Sequence, residues 1–162
     1  KTVPRIATWW TRLLDIAVAH DSATLDVSRD LFEDAINSPA GRLTEALLFD
    51  VNQSRKTGVT IDRSLLNAIT HASKAGGRQG VFARAILVRD AAFVLSIEGQ
   101  SVAGALEAAL DGASNEAISL RGVLVHQSGL SAAVSAAFSR HILCGVLEVE
   151  SRGRSSRNAA AK

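Results

Sequence analysis

The stretch "INSPAGRLTEALLFDV", residues 36–51, decides how this chain is read. Proline disfavours the α region for the residue before it, so a segment ending in Ile36-Asn37 must stop at Ser38. Asn37 or Ser38 can then cap a new helix, with Pro39 at its first position, where an N–H is not needed. Ala40 and Gly41 allow another backbone to come close. Leu43, Leu47, Leu48 and Val51 follow at helical spacing. Asn37, Ser38, Pro39 and Gly41 therefore read as a joint between two helices, not as a catalytic loop.

The same pattern runs outward in both directions. Pro4 opens a helix over residues 5–20 that carries Ile6, Trp9, Trp10, Leu13, Leu14, Ala17 and Val18. Asp26 or Ser28 can cap a short helix ending at Ile36. After the joint, Gly58 reads as a C-cap and Asp62 as the next N-cap, before Leu65, Leu66, Ile69 and Ala72. "GGRQG" (76–80) reads as an interhelical loop, and residues 81–97 as one further helix stopped by Gly99. Segments at about 101–110, 115–127 and 129–149 complete the set, with a turn at Asp111-Gly112. No run alternates with period two over a strand's length. The expectation is an all-α fold of about eight helices in an irregular, helical-repeat-like array.

Composition supports one domain. The chain has 162 residues and is 47% hydrophobic but only 4% aromatic, so small aliphatic side chains must fill its core. Lone Cys144 excludes an intramolecular disulfide framework and fits a reducing, cytoplasmic setting. There is no Met, and the first residues are Lys-Thr-Val-Pro, which suggests a piece of a longer protein or a processed product. No stretch reads as a signal peptide or a membrane span. The net charge of +2 is carried by the end of the chain. Arg152, Arg154, Arg157 and Lys162 give residues 151–162 a charge of +4, which leaves residues 1–150 at −2. The expected division is a helical domain over 1–150 and a flexible basic tail or linker over 151–162. Nucleic acid is expected to bind only through that tail, at Arg152, Arg154 and Arg157.

Candidate chemistry is sparse. "GGRQG" lacks the preceding strand and the following Lys-Ser/Thr of a phosphate loop. His141 and Cys144 are three apart, but no second ligand pair stands near them in sequence, so no metal is expected. "SGLS" (128–131) lacks the Gly-x-Ser-x-Gly spacing of a hydrolase elbow. No catalytic residue and no cofactor site is expected, and the chain does not read as an enzyme. Arg42, Glu45 and Arg84 are ion-pair candidates. Arg84 lies inside the apolar "FARAIL", and an Arg in such a frame needs a carboxylate. A bridge from Arg84 to Glu45 between packed helices is the expectation.

Two stretches, "NSPAGRLTEALL" (37–48) and "GRQGVFARAILVRDAAFVLSIE" (77–98), resemble an uncharacterised helical domain on the C-terminal side of bacterial sirtuin-like proteins. The match runs through Asn37, Pro39, Gly41, Glu45, Ala46 and Leu47, then Ala83, Arg84 and Leu87. "NEAISLRGVLVH" (115–126) is similar to a later segment of that domain. The resemblance implies a bacterial interaction or regulatory module attached to an NAD-consuming domain of antiviral-defence type. Its partner would be that domain or another protein, and an oligomer is compatible with it. The Gly-rich strand–helix unit that would bind NAD is not in these residues.

Overall fold

Ser38 separates the first two helices that meet at the joint. A computed structural model describes residues 3–21, 30–98 and 100–160. Among these, nine helices follow one another: α1 (Val3–His20), α2 (Leu31–Asn37), α3 (Pro39–Lys56), α4 (Arg63–Lys74), α5 (Gly77–Arg89), α6 (Ala91–Glu98), α7 (Gln100–Leu110), α8 (Asn115–Gln127) and α9 (Ala132–Ala160). No strand occurs among the described residues. The fold is all-α.

At the joint, every early helical donor of α3 has a partner. Pro39 has no N–H. The Ala40 N–H donates to Gln79 Oε1 at 3.1 Å. The Gly41 N–H donates to Ser38 Oγ at 2.9 Å, and the Ser38 hydroxyl donates to the Ala35 carbonyl at 2.9 Å. The Arg42 N–H begins the helical ladder on the Ser38 carbonyl. A Cβ at Gly41 would overlap the Ala35 carbonyl, so glycine is required for α2 and α3 to meet this closely.

Helix α5 is the centre of the molecule. It packs against α1, α2, α3, α4, α6 and α8. Residues Gln79 through Val88 are buried without interruption, as expected of a helix that is apolar nearly all round. Helices α1, α3 and α4 pack on it and on one another, α8 packs on it and carries α7 and α9, and α7 also packs against α4. Ala35, Ala40, Val51, Ile69, Ile86, Leu106, Leu120, Leu124 and Val134 form the continuous core between these layers.

Four boundaries differ from the sequence reading. The N-cap of α2 is Asp30, whose carboxylate accepts from the Phe32 and Glu33 N–H groups at 2.8 and 3.3 Å. Asp26 and Ser28 lie outside the described residues, as does Gly99. The expected loop at 76–80 shrinks to Ala75-Gly76, because α5 already begins at Gly77 with φ of 64°. The single helix expected over 81–97 is two, since Asp90 leaves helical geometry at φ −95°, ψ 24°. No Gly or Pro marks that break, and the Asp90 carboxylate is held by Arg89. Finally, α9 continues as helix to Ala160, where a flexible tail was expected at 151–162. Its one irregular residue is Phe138, buried at φ −125°, ψ 20°.

Candidate functional site: the outer helix faces

The buried polar residues tie helices together. Arg84, in the middle of α5, does not meet Glu45. Its Nε donates to Glu116 Oε1 on α8 at 2.9 Å, and a second guanidinium nitrogen donates to the Ala75 carbonyl. The expected Arg84–Glu45 bridge is thereby corrected. Glu45, on α3, instead accepts from Arg89 at 2.6 Å, one turn further along α5. Arg42 reaches the same carboxylate from the solvent side at 3.5 Å. All three candidates are paired, but with a different set of partners. The apolar frame of Arg84 showed that a carboxylate was needed and could not show which one.

Two further polar centres were missing from the sequence reading. Arg121, on α8 and 4% exposed, donates to the Leu110 carbonyl at 2.6 Å and the Gly112 carbonyl at 2.9 Å. Its Nε also donates to Glu148 on α9 at 3.0 Å. The bond to Glu148 raises its pKa above the ordinary Arg value, while burial opposes this. Asp21, at the end of α1, accepts from Arg78 at 3.0 Å and from Gln79 at 2.5 Å. Gln79 then joins α1 to the N-terminus of α3 through Ala40. A Gln flanked by glycines carries no periodic signal, so only the packing reveals this role.

The other sequence candidates are not brought together. His141 is 3% exposed and faces inward, whereas Cys144 is exposed. Nε2 of His141 has no hydrogen-bond partner. Burial, followed by the positive charge of Arg140, lowers its pKa below the ordinary His value. Among the described residues, no group of three or more His, Cys, Asp or Glu side chains could share a metal ion. Ser131 caps α9 by accepting from the Val134 N–H at 3.3 Å. The side chains of Arg152, Arg154 and Arg157 lie outside the described residues.

Two concavities among the described residues lie beside these helices. A cavity lined by Trp10, Leu14, Leu47 and Ala72 has room for about 10 Å³, roughly one water. A shallow cleft of about 340 Å³ runs between α3 and the α5–α6 break, lined by Glu45, Leu48, Phe49, Asn52, Asp90 and Phe93. Both of its carboxylates are already held by Arg89.

Exposed large apolar side chains lie on α1 and α9, and also at Phe49 on α3, Val59 and Leu130. On α1, Trp9, Leu13 and Ile16 fall at i, i+4 and i+7 and are 58%, 42% and 47% exposed. The opposite face of α1, with Leu14, is buried against α3 and α4. On α9, Leu143, Val146 and Leu147 are exposed while Val134, Phe138 and His141 face inward. Residues 132–151 of α9 are long and apolar enough to cross a membrane by length and composition, which the reading of no spanning segment had not anticipated. Within this chain, that helix is seated on α8.

No family model matches the chain, and no solved structure matches it. An uncharacterised protein, y4cA, from Sinorhizobium fredii is 29% identical over 155 residues. That alignment takes in 96% of this chain but only 13% of the relative's length.

Proposed function

We propose that the chain is a non-catalytic helical interaction module that docks other helices on the outer faces of α1 and α9. One observation carries this reading: the two helices at opposite ends of the packing order both expose apolar residues at helical spacing. In helical arrays an end that faces water is normally polar, because an apolar end continues into another unit. Contiguous apolar surface on a folded domain marks a site of association. The cations at the helix contacts support the same reading, since buried Arg84 and Arg121 and half-buried Arg89 are all engaged in holding helices to one another. The length of y4cA is consistent with it too, because the matching segment of that protein lies within a much longer chain. Nothing among the comparisons links the chain to sirtuin-like proteins, so an attached NAD-consuming domain, a role in defence and a cytoplasmic location rest on the resemblance alone.

The test separates surfaces kept for partners from surfaces used by the fold. Ile16→Asp and Leu147→Asp should change the unfolding free energy by no more than about 0.5 kcal/mol, as surface substitutions do. Leu87→Ala, in the core of α5, should cost about 2–5 kcal/mol. Outer-face variants that unfold the chain as readily as the core variant would contradict the proposal.

A further inference from the structure

We infer that residues 139–151 of α9 form a proton-operated latch: neutral His141 holds this stretch on α8, and protonation of its imidazole releases it about the break at Phe138. The inference stands apart from the use made of the outer faces.

The break divides α9 into two parts that are anchored differently. The first is held by Val134 and by Phe138 itself, both buried apolar side chains. Among residues 139–151, only His141 and Gly145 are buried. Gly145 lets the helix approach Val125 and Arg121 of α8, Glu148 pairs with Arg121, and Ile142 is half-buried against the core. The largest buried side chain of this stretch is therefore an imidazole, at a position where a core-facing helix ordinarily sets an apolar residue. Phe138 leaves helical geometry at φ −125°, ψ 20°. The two parts thus meet at a kink, and the second can swing without unwinding the first.

The buried ring is suited to a neutral state. His141 is 3% exposed, and its Nε2 has no hydrogen-bond partner. Protonation makes both ring nitrogens donors, and a buried charge without an acceptor is costly. Helices α6, α7 and α8 pack on α9. From α7 and the turn after it, Glu107 and Asp111 attract a charged ring, whereas Arg121 on α8 and Arg140 on α9 itself repel it. Asp111 is already paired with Arg140 at 3.1 Å. On α6, residues 91–97 include no titratable side chain. Once the stretch lifts, the ring meets water and takes its proton at the ordinary pKa of about 6.5. Opening is then coupled to the uptake of one proton, so acid favours the open form.

Amide hydrogen exchange of the full chain, corrected for the intrinsic rate at each pH and followed with and without dilute urea, tests the proposal. Amides of residues 141–151 should exchange through a local opening, more frequent than that of α5 and nearly independent of urea. Between about pH 7.5 and about pH 5.5 this opening should become about fivefold to tenfold more frequent. In His141→Leu the response should shrink to less than about twofold. Arg140→Gln removes a repulsion and frees Asp111, so its response should be smaller than that of wild type; it serves as the test where His141→Leu perturbs the fold. Exchange of residues 141–151 only together with α5, at the same rate and with the same urea dependence, would overturn the proposal. So would a pH response that persists in full in His141→Leu, or one that grows in Arg140→Gln.

Discussion

Replacing Arg84 by Ala would leave Glu116 without the guanidinium at 2.9 Å and the Ala75 carbonyl without its donor. Breaking a buried pair from one side typically costs about 3–5 kcal/mol. Urea unfolding should give that loss for Arg84→Ala. A double-mutant cycle with Glu116→Ala should show coupling of about 1 kcal/mol or more. The corresponding cycle with Glu45→Ala should be additive to within about 0.5 kcal/mol, because the two residues share no partner. Coupling of Arg84 to Glu45 and not to Glu116 would reverse the assignment. His141 supplies the pH dependence at this scale. Its folded pKa is depressed, first by burial and then by Arg140, with Arg121 acting in the same direction and Asp111 and Glu107 opposing. Below about pH 6.5 the unfolded chain therefore binds more protons at this site than the folded one. The stability from a neutral, buried His141 is present above that pH and is lost as pH falls. His141→Leu removes this contribution and also a buried nitrogen without a partner. Relative to wild type, the variant should gain stability steadily as pH falls below about 6.5. A stability difference that stays constant over that range would contradict the assignment.

At the scale of elements, glycine substitutions separate the joint from the helices it connects. Gly41→Ala drives a methyl into the Ala35 carbonyl and should cost about 1–3 kcal/mol or more as α2 and α3 are pushed apart. Gly104, within α7, has open space around it, and Gly104→Ala should stabilise by about 0.5–1 kcal/mol through helix propensity. Thermal unfolding of the two variants should move in opposite directions, and a shared direction would contradict the packing described at the joint. The joint was legible in sequence because proline and the capping hydroxyl act locally, within Asn37 to Gly41. The cap at Asp62 was legible for the same reason. The break at Asp90 was not, because no Gly or Pro marks it in the sequence. The partners of Arg84 and Arg121 were hidden too. Each depends on which helix lies opposite, and that is set by the apolar packing around α5.

Across the whole molecule, the account separates what the helices do for one another from what they leave available. Arg152, Arg154 and Arg157 belong to α9, whose backbone is helical to Ala160. If duplex DNA binds, it should do so through Arg152, Arg154 and Arg157, weaken steeply with salt, and disappear in a chain ending at Glu150, because residues 1–150 carry −2. Salt-insensitive binding by the shortened chain would argue for a nucleic-acid site in the body. The outer faces of α1 and α9 carry the central claim, and photo-cross-linking inside the producing cell tests it most directly. A benzophenone side chain replaces Trp9 in one variant and Leu147 in another, with exposed Ala113, in the turn between α7 and α8, as the control position. The account predicts discrete protein adducts from positions 9 and 147 and none from 113. Positions 9 and 147 that give no more adduct than position 113 would contradict it.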